Sequence, residues 1–167
     1  MLCYFELSRW TVSPYVLNVG HLSGTISSME PKQTPTSPPP SDGKIKRILL
    51  VEDDDSLASV YVTRLQAEGF DVRRVANGED ALATALSYKP NLILLDVMMP
   101  KVSGFDVLDI LRNTPETANL KIIMLTALSQ TSDKERAEAL GVDDYLVKSQ
   151  VVIADVVDRI RHHLNQS

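Results

Sequence analysis

The sequence predicts an α/β fold, a three-layer sandwich in which helices cover both faces of a five-stranded parallel sheet. From residue 45 onward, short apolar runs alternate five times with segments of helical periodicity, which is the pattern of successive βαβ units. Four of these runs are almost wholly apolar, as expected for strands that are buried on both faces. They read ILLV, LILL, IIML and YLV.

The five strands are expected at residues 46–51, 71–76, 92–96, 121–125 and 144–147. Connections between parallel strands are right-handed, and together with helices on both faces this favours the strand order 2-1-3-4-5 of flavodoxin-like folds. In such an open sheet, ligands bind outside the carboxyl ends of the strands. Functional residues are therefore expected at that edge.

Between the strands, apolar residues recur at the spacing of helices that bury one face. These residues are Leu57, Tyr61 and Leu65; Ala81, Leu82, Ala85 and Leu86; Phe105, Leu108 and Leu111; and Val152, Val156, Ile160 and Leu164. Asn77 followed by Asp80 indicates the start of one helix. Ser132 followed by Glu135 predicts a capping box at the start of another.

Two glycines mark the expected ends of helices. Gly69 and Gly141 lie at these ends because glycine readily adopts the left-handed backbone of a helix terminus. The fourth helix, at about residues 130–140, offers few large apolar residues beyond Leu140. We expect it to pack more weakly than its neighbours, which makes it a candidate for an element that moves.

Composition indicates one acidic globular domain. The 167 residues are 44% hydrophobic and 23% charged, and the net charge of −5 lies entirely after residue 44, since the first 44 residues hold equal numbers of basic and acidic groups. An acidic domain without a basic stripe binds nucleic acid poorly, so no direct contact with DNA or RNA is expected. Cys3 is the single cysteine, which excludes an intrachain disulfide and fits a reducing compartment.

The N-terminal part of the sequence differs in character from the rest. Residues 31–43 combine closely spaced prolines with Ser, Thr and Gly, so we expect a disordered extension and linker at 1–44 and a folded domain at 45–167. Met29 offers an alternative start of translation; an ordinary disordered tail is the other interpretation. Arg9 and Pro14 interrupt the early apolar residues, so neither a signal peptide nor insertion into a membrane is expected, and the predicted location is cytoplasmic.

Polar side chains directly follow four of the apolar runs. They are Glu52 and Asp53, Asp96, Thr126, and Lys148. Because parallel strands end at one edge of the sheet, these groups are expected to converge. The acidic loop at 52–55 would repel a phosphate unless a cation intervened, and oxygen ligands of this type suit Mg²⁺.

The carboxylates of this edge have different expected roles. Asp55, and in part Asp54, are explained by capping of the next helix and by its dipole. Asp96 interrupts an apolar stretch, where a carboxylate without a partner is costly, and a carboxylate can attack phosphorus to form an acyl phosphate. Mg²⁺, Lys148 and the Thr126 hydroxyl would then offset the charge on the phosphoryl oxygens.

The segments VEDD (51–54), LLDVMMP (94–100), MLTA (124–127) and DYLVK (144–148) together resemble the receiver domain of two-component response regulators. The resemblance covers about residues 45–164. It implies that Asp96 is phosphorylated by a histidine kinase or phosphotransfer protein, and that the protein is a phosphorelay signalling switch and not an enzyme in the usual sense.

The resemblance also implies which groups hold Mg²⁺. Asp53 and Asp96 would bind the ion directly, Glu52 would act through water, and Met98 would contribute its backbone carbonyl. Apolar Met98 and Leu128, two residues beyond Asp96 and Thr126, cannot orient an attacking water. We therefore expect slow self-dephosphorylation.

The phosphorylation signal is expected to reach other proteins through a docking surface of the domain. By the resemblance, Thr126 and Tyr145 occupy switch positions, and an effector protein would dock on the fourth helix, fifth strand and fifth helix. The alternative is that Tyr145 is a plain half-buried strand aromatic.

The chain ends at Ser167, shortly after the last predicted helix, which predicts a stand-alone receiver. Ser149 stands where the family usually has a proline after a cis peptide bond, so a trans bond is expected.

Three other classes of protein are less compatible with these residues. A binding-only pseudo-receiver would have the fold but no need for the complete set of acidic, hydroxyl and ammonium groups. A hydrolase with an aspartyl nucleophile normally has a second Asp two residues later, where Met98 stands. A flavin or dinucleotide carrier is disfavoured by the acidic first loop.

Overall fold

The computed structural model of the chain describes residues 44–166. The expected extension and Pro-rich linker, with the alternative start at Met29, lie outside the described residues apart from Lys44. Among residues 44–166, no helix is both long and apolar enough to cross a membrane.

Within the described residues, five parallel strands form a sheet in the order β2-β1-β3-β4-β5, which confirms the predicted fold. In chain order the elements are β1 (Arg47–Val51), α1 (Asp55–Ala67), β2 (Asp71–Val75), α2 (Gly78–Tyr88), β3 (Leu92–Leu95), α3 (Gly104–Asn113), β4 (Lys121–Thr126), α4 (Thr131–Ala139), β5 (Asp144–Val147) and α5 (Ile153–Asn165). The strand ends differ from the predicted ones by at most one residue.

Each face of the sheet has its own apolar core. Neighbouring strands are in register, with Leu50 beside Leu94 and Leu94 beside Ile123, so these residues share one face and pack against α1 and α5. The alternate strand residues pack against α2, α3 and Ala137 of α4. The central strands are buried on both sides, which accounts for their continuous apolar runs.

The start of α2 is as predicted, whereas the start of α4 is not. The Asn77 side chain accepts a hydrogen bond of 2.9 Å from the Asp80 amide. The predicted capping box of Ser132 and Glu135 is wrong, because α4 begins at Thr131 and Ser132 already lies inside it. The N-cap residue is Gln130, whose backbone carbonyl accepts the first bonds of the helix but whose side chain makes no capping hydrogen bond.

The ends of α1 and α4 confirm the roles expected of the two glycines. Gly69 has φ +88° and Gly141 has φ +84°, in the left-handed region that glycine tolerates. The weak packing expected of α4 is also present: among its described residues only Ala137 is buried, and Arg136 lies over the Phe105 ring at 4.3 Å. Whether α4 moves stays a prediction.

Candidate functional site

The predicted polar residues meet at the carboxyl edge of the sheet. Glu52 follows β1, Asp96 follows β3, Thr126 ends β4 and Lys148 follows β5. These four strands are neighbours in the sheet, in the order β1-β3-β4-β5. The topology therefore brings together groups that lie up to 96 residues apart in the sequence.

Lys148 joins two buried carboxylates. Its Nζ donates to Asp96 Oδ2 at 2.6 Å and to Glu52 Oε2 at 2.8 Å. Glu52 is only 2% exposed and Asp96 only 5% exposed. One ammonium group thus faces two carboxylates in a place with little water, and the cluster has an excess of negative charge.

The ionisation of these groups reflects that imbalance. Burial raises the pKa of Glu52, and the nearby Asp96 carboxylate adds to this, although the Lys148 ammonium acts in the opposite direction. Burial by itself lowers the pKa of Lys148, but its hydrogen bonds to Asp96 and Glu52 outweigh that effect and raise it. Lys148 is therefore a cation at neutral pH, and the site favours a further positive charge.

The donor set fits a hard divalent cation. Glu52, Asp53 and Asp96 each offer a carboxylate oxygen, and these oxygens lie within 4.8 Å of one another. Asp53 is exposed, so the cluster is open to solvent on one side. Mg²⁺ prefers oxygen ligands and keeps several of its waters, and this cluster offers carboxylate oxygens on a side that is open to solvent.

Met98 contacts the site through its backbone. Its amide donates to Asp96 Oδ1 at 3.0 Å, so both oxygens of the Asp96 carboxylate have partners. The Met98 side chain is 56% exposed. A role of its carbonyl oxygen as a metal ligand stays a prediction.

Thr126 and Tyr145 lie beside the cluster and share a partner. The fully buried Thr126 hydroxyl accepts a hydrogen bond of 3.2 Å from the Leu128 amide, and the Tyr145 hydroxyl donates to the Leu128 carbonyl at 3.1 Å. Among the described residues, the Thr126 side chain makes no hydrogen bond to Asp96 or Lys148. Burial, followed by the charges of Asp133 and Asp96, raises the pKa of the half-buried Tyr145.

Residues 54, 55 and 149 behave as expected from the sequence. Asp54 caps α1, because its carboxylate accepts from the Leu57 amide at 2.9 Å. Asp55 stands in the first turn of the same helix. The peptide bond between Lys148 and Ser149 is trans, as are all peptide bonds within residues 44–166.

Two residues at the site were not found by sequence reasoning. Arg74 of β2 contacts the backbone of the acidic loop, and its only sequence signal is a pair of arginines inside a predicted strand. Gly104 is the first residue of α3 and lies very close to the end of β3. A Cβ atom at this position would lie 2.2 Å from the Asp96 carbonyl oxygen. A poor helix former directly after the cap Ser103 is the signal for that close approach.

The family model of the response regulator receiver domain matches residues 48–161. Among curated proteins, the chain is 37% identical over 121 residues to the DNA-binding dual master transcriptional regulator RpaA of Synechocystis, covering 72% of this chain and 50% of that protein. It is 41% identical over 104 residues to the phosphate regulon transcriptional regulatory protein PhoB of Rhizobium meliloti, covering 62% and 46%. The chain thus spans about half the length of these relatives.

Solved structures give the same similarity. A response regulator receiver domain protein of Methanospirillum hungatei matches with a TM-score of 0.69 and 27% identity, over 74% of this chain and 96% of that one. The N-terminal receiver domain of RstA from Klebsiella pneumoniae matches with a TM-score of 0.67 and 28% identity, over 71% and 98%.

Proposed function

The chain belongs to the response regulator receiver domain family, whose members take part in phosphorylation-based signalling, and on that premise we propose that Asp96 is its phosphoacceptor in a two-component phosphorelay. The observation that carries this proposal is the Asp96 carboxylate itself. It is almost wholly buried at the end of β3, lies 2.6 Å from the Lys148 ammonium, and belongs to the same candidate cation site as Glu52 and Asp53.

The proposed reaction transfers a phosphoryl group from a histidine kinase or phosphotransfer protein. An Asp96 oxygen forms a bond to phosphorus as the bond between phosphorus and the donor's imidazole nitrogen breaks, and the imidazole leaves with its electron pair. Lys148 and the Met98 amide hold the carboxylate in place, since each contacts one of its oxygens. Bound Mg²⁺ would supply neutralisation of the phosphoryl oxygens, held by Asp53, Asp96 and, through water, Glu52.

The proposed output is a change in affinity for an effector protein. The Thr126 hydroxyl would leave the Leu128 amide for a phosphoryl oxygen. The Tyr145 hydroxyl is hydrogen-bonded to the carbonyl of the same residue, so the Tyr145 ring would change its position as well. The proposed docking surface is formed by α4, β5 and α5, and a depression of about 280 Å³ beside Tyr145, lined also by Lys134 of α4 and Gln150, offers an effector a place at its α4 and β5 side. The relative named as DNA-binding is matched over only half of its length, and for this acidic domain we propose a protein partner and not nucleic acid.

We propose that the protein acts as a switch that removes its own phosphoryl group only slowly. Met98 and Leu128, two residues beyond Asp96 and Thr126, have apolar side chains, so neither can orient a water for attack on the acyl phosphate. We expect the phosphorylated form to persist longer than that of a Met98→Asn variant, as measured by the decay of phosphorylated intact mass. The cytoplasmic location expected from the sequence stays a prediction.

The test is phosphorylation by a small donor. The protein is incubated with acetyl phosphate, with and without Mg²⁺, and intact mass is followed for the wild type, Asp96→Asn and the control Asp106→Asn, which changes an exposed carboxylate in the first turn of α3. We expect one added phosphoryl group in the wild type and the control, dependent on Mg²⁺, and none in Asp96→Asn.

A binding-only receiver is the second candidate function. It would give an unmodified wild-type mass even though Mg²⁺ binds in calorimetry. Phosphorylation that persists in Asp96→Asn would contradict the assignment of the phosphoacceptor, and phosphorylation that is indifferent to Mg²⁺ would contradict the role of the metal.

A further inference from the structure

The acidic loop, residues 52–55, is held from the side of β2 by one guanidinium group. Arg74 Nε donates to the Glu52 carbonyl at 2.9 Å, and Nη2 donates to the Asp53 carbonyl at 3.1 Å. Nη1 lies 2.6 Å from Asp55 Oδ1. All three nitrogens of the guanidinium therefore contact the acidic loop.

These contacts of Arg74 differ in how much they stabilise the acidic loop. The Asp55 side chain is 88% exposed, so its ion pair with Arg74 adds little in water. The hydrogen bonds to the Glu52 and Asp53 carbonyls involve a side chain that is only 26% exposed, and they fix the backbone of two of the three carboxylate residues. The Glu52 amide adds a third tie to β2, since it donates to the Val75 carbonyl at 3.1 Å.

Arg74 approaches the cation site without occupying its ligands. It contacts the backbone oxygens of Glu52 and Asp53, whereas Lys148 contacts the Glu52 carboxylate. A positive charge next to a cation site opposes binding by repulsion, but a loop that is held in its binding geometry loses less freedom when the cation binds. The two effects have opposite signs, so the effect of removing Arg74 on Mg²⁺ affinity shows which one dominates.

We propose that Arg74 is a positioning residue for the Mg²⁺ site, which it pre-organises through the backbone of the acidic loop despite its own positive charge. The inference rests on the proposed function, in that Mg²⁺ is taken to bind Glu52, Asp53 and Asp96. Groups that orient metal ligands typically contribute a factor of about 10 to 100 in metal affinity. We expect an effect at the low end, because repulsion by the guanidinium offsets part of the gain.

The test is the Mg²⁺ dissociation constant, measured by calorimetry for the wild type and four variants. Arg74→Ala should weaken binding about tenfold. Arg74→Lys should also weaken it, since a lysine keeps the charge but cannot donate to two carbonyls in a fixed fork. Arg73→Ala is the matched control: it removes the same charge from the same strand, at a side chain that lies over the Tyr88 ring at 4.4 Å. Arg73→Ala and Asp55→Asn should bind Mg²⁺ within about twofold of the wild type.

A second readout separates positioning from a general loss of structure. In phosphorylation by acetyl phosphate, Arg74→Ala should need about tenfold more Mg²⁺ for half of its maximal rate, while the rate at saturating Mg²⁺ stays near that of the wild type. A purely structural defect would lower the saturating rate as well. If Arg74→Ala does not fold, Arg74→Lys carries the same comparison.

The outcomes distinguish this inference from the proposed function. Unchanged or tighter Mg²⁺ binding in both Arg74 variants would overturn the positioning role and leave the proposed function intact. Failure of the wild type to bind Mg²⁺ would overturn the metal site itself, and with it this inference. Equal weakening in Arg73→Ala would assign the effect to a general disturbance of β2, since loss of a positive charge alone would tighten binding, and it would likewise overturn the positioning role.

Discussion

At the scale of single residues, the distinctive feature is one ammonium group between two buried carboxylates. Lys148 can neutralise only one of the two negative charges of Glu52 and Asp96, and both side chains are nearly inaccessible to water. Burying a charge without full compensation is costly, so the site without metal lowers the stability of the fold. The carboxylates that the proposed chemistry requires therefore reduce the stability of the metal-free domain.

Replacing Glu52 by Gln should therefore stabilise the protein in the absence of metal. Burial raises the pKa of Glu52 in the folded state, so ionisation of this carboxyl opposes folding. The wild type should lose stability relative to Glu52→Gln as the pH rises from about 4.3, the usual pKa of a glutamate, through the raised value. At pH 7 and without metal, we expect Glu52→Gln to be more stable than the wild type in urea unfolding.

The control for this prediction is Glu138→Gln, which changes a glutamate on the surface of α4 that lies 3.8 Å from Lys134. Its stability relative to the wild type should change little over the same pH range. A Glu52→Gln variant that is less stable than the wild type at pH 7 in EDTA would contradict the account of excess negative charge.

At the scale of elements, the close approach of α3 to the end of β3 fixes the Asp96 backbone. Gly104 donates from its amide to the Val97 carbonyl at 3.0 Å, and no side chain fits between the helix start and this strand end. Sequence patterns located both elements, since LILL is a buried strand and Phe105, Leu108 and Leu111 form a helical stripe. They could not give the distance between them, which depends on the packing of the whole layer.

Gly104→Ala should disturb the site and the fold together. The added Cβ would lie 2.2 Å from the Asp96 carbonyl oxygen and 2.7 Å from Val97 Cα, so backbone must shift, at a cost of about 1 to 3 kcal/mol. We expect slower phosphorylation by acetyl phosphate at saturating Mg²⁺ as well as a lower unfolding midpoint in urea.

Gly69→Ala supplies the comparison for loss of stability alone. Its Cβ would meet nothing within 4 Å, but the φ of +88° imposes strain of about 1 to 2 kcal/mol on any side chain. Its phosphorylation rate should equal that of the wild type. An equal loss of rate in both variants would attribute the effect of Gly104→Ala to stability and not to the position of Asp96.

Helix α4 should open more readily than the other helices. It buries only Ala137 among its described residues, whereas α5 buries Val156, Val157, Ile160 and Leu164. Local opening is easier where few apolar contacts are lost, so amides of α4 should exchange with deuterium faster than those of α5. Hydrogen exchange followed by mass spectrometry measures this directly; equal protection of the two helices would contradict the prediction.

At the scale of the whole molecule, the parallel topology allowed the location of the site to be predicted from the sequence. The contacts of individual side chains could not be predicted in this way. Once four apolar runs are recognised as parallel strands, Asp96, Thr126 and Lys148 must lie at one edge of the sheet. The position of Arg74 depends instead on the pairing of β1 with β2, in which it lies beside Leu50. The start of α4 differs from the predicted one because Gln130, and not Ser132, is the N-cap residue, and its side chain makes no capping hydrogen bond.

Metal binding should raise the stability of the entire domain. A ligand that binds only the folded state stabilises it by about 2.7 kcal/mol at a concentration 100 times its dissociation constant. We expect such an increase in the free energy of unfolding for the wild type with Mg²⁺, measured in urea.

Asp53→Asn tests the source of this effect. Asp53 is exposed, so its loss should change the metal-free stability little, while most of the gain with Mg²⁺ should disappear. A gain of the same size in Asp53→Asn would place the responsible ion somewhere other than the cluster of Glu52, Asp53 and Asp96.

The backbone of Leu128 has a further consequence for signalling. Its amide serves the Thr126 hydroxyl and its carbonyl serves the Tyr145 hydroxyl, so the two rearrangements proposed for phosphorylation pass through one residue. Each would exchange one hydrogen-bond partner for another, and the net worth of such a bond is about 1 kcal/mol. In the resting protein the phosphoryl partner is missing, so these bonds would be lost without replacement and the inactive conformation is favoured. The resting protein would then sample its active form only as a minor population, and the phosphoryl group would shift the equilibrium by supplying the new partner.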